Sequence, residues 1–131
     1  MRSEAAVQEK IRLVAGRSNH ICDRNNSGAL PDKNGRYVRF GLGNDSTAIN
    51  EVRKSSDLIG CVPMLILPHH VGRTIGVYCA TEVKGERWKW SGDSREEAQL
   101  AFLDDVVRHG GIGMFATHEQ QYLNTIQEFI R

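Results

Sequence analysis

Glu82 and Lys84 stand two residues apart at the end of an apolar run, TIGVYCATEVK, that ends at residue 84. Alternate side chains of a strand share a face, so the two lie about 7 Å apart on one side, in line with Tyr78 and Ala80. Val77, Cys79, Thr81 and Val83 face the other way. A carboxylate and an ammonium so placed can act on one target, the first holding a hard cation and the second steering or polarising a water beside it. The same pair also fits an ordinary solvated strand end with a weak surface ion pair. Asp57 adds a second carboxylate. It opens another apolar run, DLIGCVPMLIL, directly after a polar loop, and pairing of the two strands would set it beside Glu82. Two carboxylates in one site repel unless a divalent cation sits between them, and Mg²⁺ takes one or two carboxylates, a carbonyl and several waters. After Ser55 and Ser56, an aspartate equally suits a turn or a helix cap.

The elements that must position these groups follow from periodicity and turn chemistry. Ser3 caps a helix running to about Gly16, with Val7, Ile11 and Val14 as its inward stripe and Glu4 in its first turn at the end of that stripe. HICDRNN reads as a short strand, PDKNGR as a turn with Asn34-Gly35 at its tip, and YVRFGL as a second strand or hairpin arm. GNDSTAINEVRKSS reads as a polar loop. DLIGCVPMLIL should be a buried strand that kinks or ends at Pro63, His69 to Arg73 a turn, and TIGVYCATEVK a strand. GERWKWSGDS is a loop, followed by a helix from Arg95 to His109 that Asp93 or Ser94 caps and Gly110-Gly111 stop. IGMFAT is a last strand. Thr117 and Gln120 form a capping box for a terminal helix with a stripe of Tyr122, Ile126, Phe129 and Ile130. This order gives an α/β fold, a central mixed sheet flanked by helices, as one domain over residues 1–131.

Composition narrows the function classes. A net charge of +1 excludes a strongly basic nucleic-acid binder, yet the charge is uneven. Residues 1–54 hold ten Lys/Arg against six Asp/Glu, whereas residues 93–131 hold three against seven, so the first part can present a local anion-binding face. Cys22, Cys61 and Cys79 are odd in number and set in apolar runs, which predicts reduced, buried thiols. Cys61 and Cys79 bracket His69 and His70 without any zinc-ligand spacing. The first residues are charged and the uncharged run Leu58 to Val71 is too short to span a bilayer, so the expectation is a cytoplasmic protein.

Asp57, then Glu82-Val83-Lys84, then a helix carrying Gln99 resembles the PD-(D/E)xK nuclease core, and within that superfamily the VRR-NUC family of virus-type replication and repair nucleases, in its small stand-alone phage form. The resembling segments are SEAAVQ, RNNSGAL, GRYVRFGLGNDS, SSDLIG, TEVK, REEAQLAFLDDVVRHGG and GMFAT, in order along nearly the whole chain. The resemblance implies a restriction-endonuclease-like fold and a Mg²⁺- or Mn²⁺-dependent endonuclease. Asp57 and Glu82 would ligate the metal together with the main-chain carbonyl of Val83. Lys84 would position or deprotonate the attacking water, and Glu4 and Gln99 would support the site. Ser56 stands where the superfamily pattern has proline, which shapes the backbone and is not a ligand. Stand-alone members resemble homodimeric junction resolvases, so branched DNA such as a Holliday junction is the implied substrate and a homodimer the implied assembly, in a bacterial or phage-infected cell.

With that use in view, Arg24, Asn25, Asn26, Arg36, Arg39, Arg53 and Lys54 supply groups of the kind that contact phosphate oxygens without reading bases. Trp88 and Trp90 suit either stacking on an unpaired base or packing under their loop. Two other functions fit the same residues: a nuclease acting on flaps or single strands, and a nucleic-acid-binding module that keeps the fold without catalysis.

Overall fold

Ser3 starts the first helix by accepting the Ala6 amide on its hydroxyl at 3.2 Å, so one of the amides left without a partner at the helix start is satisfied. In this computed structural model, which describes residues 1–131, helix α1 runs Glu4–Arg17, with an acid in its first turn and a base in its last, as the helix dipole favours. The chain is mixed α/β, with four α-helices and three two-stranded sheets, and divides into two units, Met1–Gly60 and Cys61–Arg131.

In the first unit α1 packs on strand β1 (Ile21–Arg24), with Ala15 and Ile21 buried. Strand β2 (Gly28–Pro31) pairs antiparallel with β3 (Tyr37–Phe40), Gly28 opposite Phe40 and Pro31 opposite Tyr37. The Asp32 carboxylate closes their turn by accepting the amides of Asn34 at 2.8 Å and Arg36 at 2.9 Å. A short helix α2 (Thr47–Val52) follows, and β4 (Leu58–Cys61) pairs with β1. Only glycine fits at position 60, because a Cβ there would fall 1.7 Å from the Ile21 carbonyl oxygen.

In the second unit β5 (Cys79–Val83) and β6 (Ile112–Ala116) lie parallel, with Glu82 opposite Phe115. Parallel neighbours need a crossover, which helix α3 (Ser94–Arg108) supplies. Alternate residues of β6, namely Ile112, Met114 and Ala116, are buried, as are Leu103 and Val106 on α3. Ile126, on the terminal helix α4 (Glu119–Ile130), packs against the β6 cluster.

Several expectations change. The sequence leads to one central sheet in which the Asp57 strand pairs with the Glu82 strand; the ladder partner of β4 is β1, and that of β5 is β6. GNDSTAINEVRKSS is not all loop, since the Ser46 hydroxyl accepts the Ile49 amide and nucleates α2. In DLIGCVPMLIL the strand ends before Pro63, and Val62 and Met64 to Leu67 are exposed: proline lacks the N–H that a ladder needs, and the apolar residues beyond it have no strand to join. The run from Thr74 is strand only from Cys79. Val7, Ile11 and Val14 of α1 are 40–59% exposed, so Ala15 alone makes the buried contact of that helix. Gln121, not Gln120, accepts from the Thr117 amide and hydroxyl at the start of α4, whose N-cap is His118. Of its stripe, Tyr122, Phe129 and Ile130 are exposed. Cys22 and Cys61 are free and half-buried, whereas Cys79 is exposed. No helix is long and apolar enough to cross a membrane.

Candidate active site

β5 carries Glu82 at its carboxyl end, and Lys84 follows directly, its amide held by the Ala116 carbonyl at 2.9 Å. Across from them α3 presents Gln99, whose amide makes two opposite hydrogen bonds. Its oxygen accepts from Lys84 Nζ at 2.7 Å, and its nitrogen donates to Glu82 Oε1 at 2.8 Å. The ammonium and the carboxylate themselves stand 4.0 Å apart. Gln99 is therefore a neutral bridge between two opposite charges, fixing both rotamers at a distance where direct pairing alone would hold them loosely. Lys84 is 16% exposed and Glu82 37%, so the carboxylate faces solvent more than the ammonium does. One Glu82 oxygen is occupied by Gln99, and the other accepts no hydrogen bond.

Aromatic rings back the lysine. Lys84 Nζ lies 5.7 Å from the centre of the Trp88 ring and 5.9 Å from that of Phe115, within cation–π reach. Trp88 stacks on Phe115 with centroids 5.1 Å apart, and Trp90 meets Phe115 edge-on at 6.0 Å. The Trp88 indole N–H donates to Glu96 Oε1 at 2.8 Å. Glu96, buried on the first turn of α3, also accepts from the Ser91 amide, the Ser91 hydroxyl and the Gly92 amide, all on Oε2. Burial raises its pKa, but these four donors outweigh it and hold the carboxyl at about 2, below its ordinary 4.5. The sequence reading passed over Glu96. The signal was there, since Asp93 and Glu96 have capping-box spacing and Asp93 Oδ1 does accept the Glu96 amide.

In the first unit Glu4 and Asp57 line one open cleft of about 540 Å³ with Arg2, Gln8, Val7 and Ile11. The exposed stripe of α1 thus forms a cleft wall. Asp57 also borders a second cleft of about 360 Å³, with Asn25, Asn26 and Lys54. Its backbone is fixed, because its carbonyl accepts the Asn25 amide at 2.9 Å, while its exposed carboxylate accepts no hydrogen bond. Asn25 is a brace as well: its side-chain amide donates to Ser55 Oγ and the Ser56 carbonyl and accepts the Leu42 amide. Arg39 is similarly engaged, donating to Asn44 Oδ1 at 2.9 Å and to Thr47 Oγ1. Asn44, missed in the sequence, is buried and donates to the Gly28 and Phe40 carbonyls, which ties the hairpin to the segment before α2. Arg24, Asn26, Arg36, Arg53 and Lys54 are exposed.

The structure thus joins Glu82, Lys84 and Gln99 in one hydrogen-bonded relay and sets Glu4 and Asp57 in one cleft. No group of three or more His, Cys, Asp or Glu side chains is gathered in metal-binding fashion. No family model matches this chain, and neither a curated protein nor a solved structure does.

Proposed function

We propose that the chain is a metal-dependent, structure-selective DNA endonuclease of PD-(D/E)xK architecture and VRR-NUC type, hydrolysing phosphodiesters in branched DNA such as a Holliday junction. The observation that supports it most is the Glu82–Gln99–Lys84 relay, which holds a carboxylate and an ammonium on one target with a neutral amide between them. A surface ion pair needs no such bridge.

The donor chemistry fits a hard divalent cation. Glu82 has an oxygen not taken by Gln99, and the Asp57 carboxylate accepts no hydrogen bond, so both offer anionic oxygens of the type Mg²⁺ or Mn²⁺ takes. By this reading Asp57, Glu82 and the Val83 carbonyl would hold the cation. Such a cation would supply neutralisation of charge on the scissile phosphate and a lowered pKa for the attacking water. Lys84 adds a fixed positive charge and orients the attacking water, Gln99 sets the direction of both charged groups, and Glu4 supports the Asp57 side of the site. Arg24, Asn26, Arg36, Arg53 and Lys54 contact phosphates, while Asn25 and Arg39 shape the surface that presents them. A homodimer would offer two equivalent sites to the two equivalent strands of a four-way junction.

The test is cleavage of end-labelled four-way junction, flap, single-strand and linear duplex DNA in Mg²⁺ or Mn²⁺. We expect the wild type to cut the junction, and Asp57→Ala and Lys84→Ala each to lower the rate by roughly 10²-fold or more while binding measured without metal persists. Faster cutting of flaps or single strands would reassign the substrate. Binding with no cleavage of any form would leave a nucleic-acid-binding module.

A further inference from the structure

The loop from Gly85 to Asp93 has no regular ladder, and one side chain makes four of the hydrogen bonds that tie it down. Glu96 spends both carboxylate oxygens on it, one on the Trp88 indole and the other on Ser91 and Gly92. A buried carboxylate with four donors is fixed in place, and it fixes Trp88 in turn, because the indole N–H has one direction and the ring is stacked on Phe115. The far side of this arrangement is Lys84, whose ammonium lies near both rings and reaches Gln99. A lysine side chain has four rotatable bonds and many conformations. Gln99 restrains only its tip. The two rings form a wall against which the tip is held, so the position of Lys84 depends on a wall anchored by Glu96.

We infer that Glu96 is a positioning residue for Lys84, acting through Trp88: its carboxylate anchors the indole, and the Trp88–Phe115 pair holds the ammonium on Gln99. This rests on the proposed role of Lys84 in hydrolysis, and goes beyond it by assigning function to two side chains outside the metal-binding and water-orienting set. Phe115 sits opposite Glu82 in the β5–β6 register, so the ring wall and the carboxylate are set by one ladder.

The experiment has a spectroscopic arm that does not depend on catalysis. Lys84 is assigned in lysine-labelled protein through Lys84→Arg, and its ε-methylene resonance is read in wild type, Glu96→Ala and Trp88→Phe. The wild type should show a ring-current displacement. Glu96→Ala should move the resonance toward that of a solvated lysine, and Trp88→Phe, which keeps a ring but loses the anchor, should move it partway. Where the wild type cleaves DNA, both variants should lose roughly tenfold in kcat with KM within about twofold, as misplacement of a positioned group predicts. The double variant should be no slower than Glu96→Ala, since both changes remove the same link. An unmoved resonance in folded Glu96→Ala overturns the inference, and so does a moved resonance with unchanged kcat. Trp88→Phe keeps the test open if Glu96→Ala does not fold. Should the wild type cut no DNA, the nuclease reading falls by itself and the resonance decides whether Glu96 holds Lys84.

Discussion

Gln99 and Glu96 show how a charged group is controlled by what accepts from it or donates to it. Gln99 lets a lysine and a glutamate share one bridge without collapsing into a contact pair, which keeps a carboxylate oxygen and ammonium protons available. Glu96 does the reverse, using up its carboxylate entirely on neutral donors. That difference has a pH consequence. With the folded pKa at about 2 and the ordinary value at 4.5, the unfolded chain binds the proton first as pH falls. The stabilisation from ionised Glu96 is therefore fully present above about pH 4.5 and is lost progressively down to about pH 2. Urea midpoints of wild type and Glu96→Gln should keep a constant gap above that window and converge within it. A gap that stays constant through the window would show that the carboxylate is not held by these donors.

At the scale of elements, the β5–α3–β6 crossover determines where the relay can form. Glu82 and Lys84 are given by strand position, but Gln99 reaches them only because α3 lies close on β6. That closeness depends on Gly113, where a Cβ would come within 2.7 Å of the Leu103 carbonyl oxygen, a backbone atom that cannot turn aside. Gly113→Ala should therefore cost about 1–3 kcal/mol of stability by overpacking, measured by denaturant unfolding. It should also lengthen the Gln99 contacts and, if the chain is the proposed nuclease, slow cleavage. Wild-type stability for this variant would mean that the helix can shift without penalty. Helices α1 and α3 and the turn at Asp32 were readable because caps and turn residues act locally: Ser3, Asp93 and Asp32 each bond within four residues, whereas the equally local Ser46 cap of α2 lay in a polar stretch with no apolar period to mark a helix. The strand limits were not, since Pro63 and the exposed run after it are decided by whether a neighbouring strand exists.

At the scale of the whole chain, charge is the property that any nucleic-acid partner meets first. The excess of Lys/Arg in residues 1–54 and of Asp/Glu in residues 93–131 leaves a basic first segment within a chain near neutrality overall. If Arg24, Arg36, Arg53 and Lys54 contact phosphates, the logarithm of the junction-binding constant should fall linearly with the logarithm of salt concentration, and Lys54→Ala should reduce that slope by about one. A slope unaffected by Lys54→Ala would place the phosphate contacts elsewhere. Arg39→Ala should instead act on stability, because its guanidinium is committed to Asn44 and Thr47. The sequence by itself determined α1 and α3 with their caps, the presence of the terminal helix, the carboxyl end of the strand carrying Glu82 and the uneven charge, because periodicity, capping and composition are properties of neighbouring residues. Only the tertiary structure decided that Gln99 bridges the two charges, that Glu96 anchors Trp88, that Asn25 and Arg39 are braces, and that β4 pairs with β1. Each of these depends on which side-chain atoms meet in space, from five residues apart for Arg39 and Asn44 to 30 for Asn25 and Ser55, and residue spacing alone does not fix such meetings.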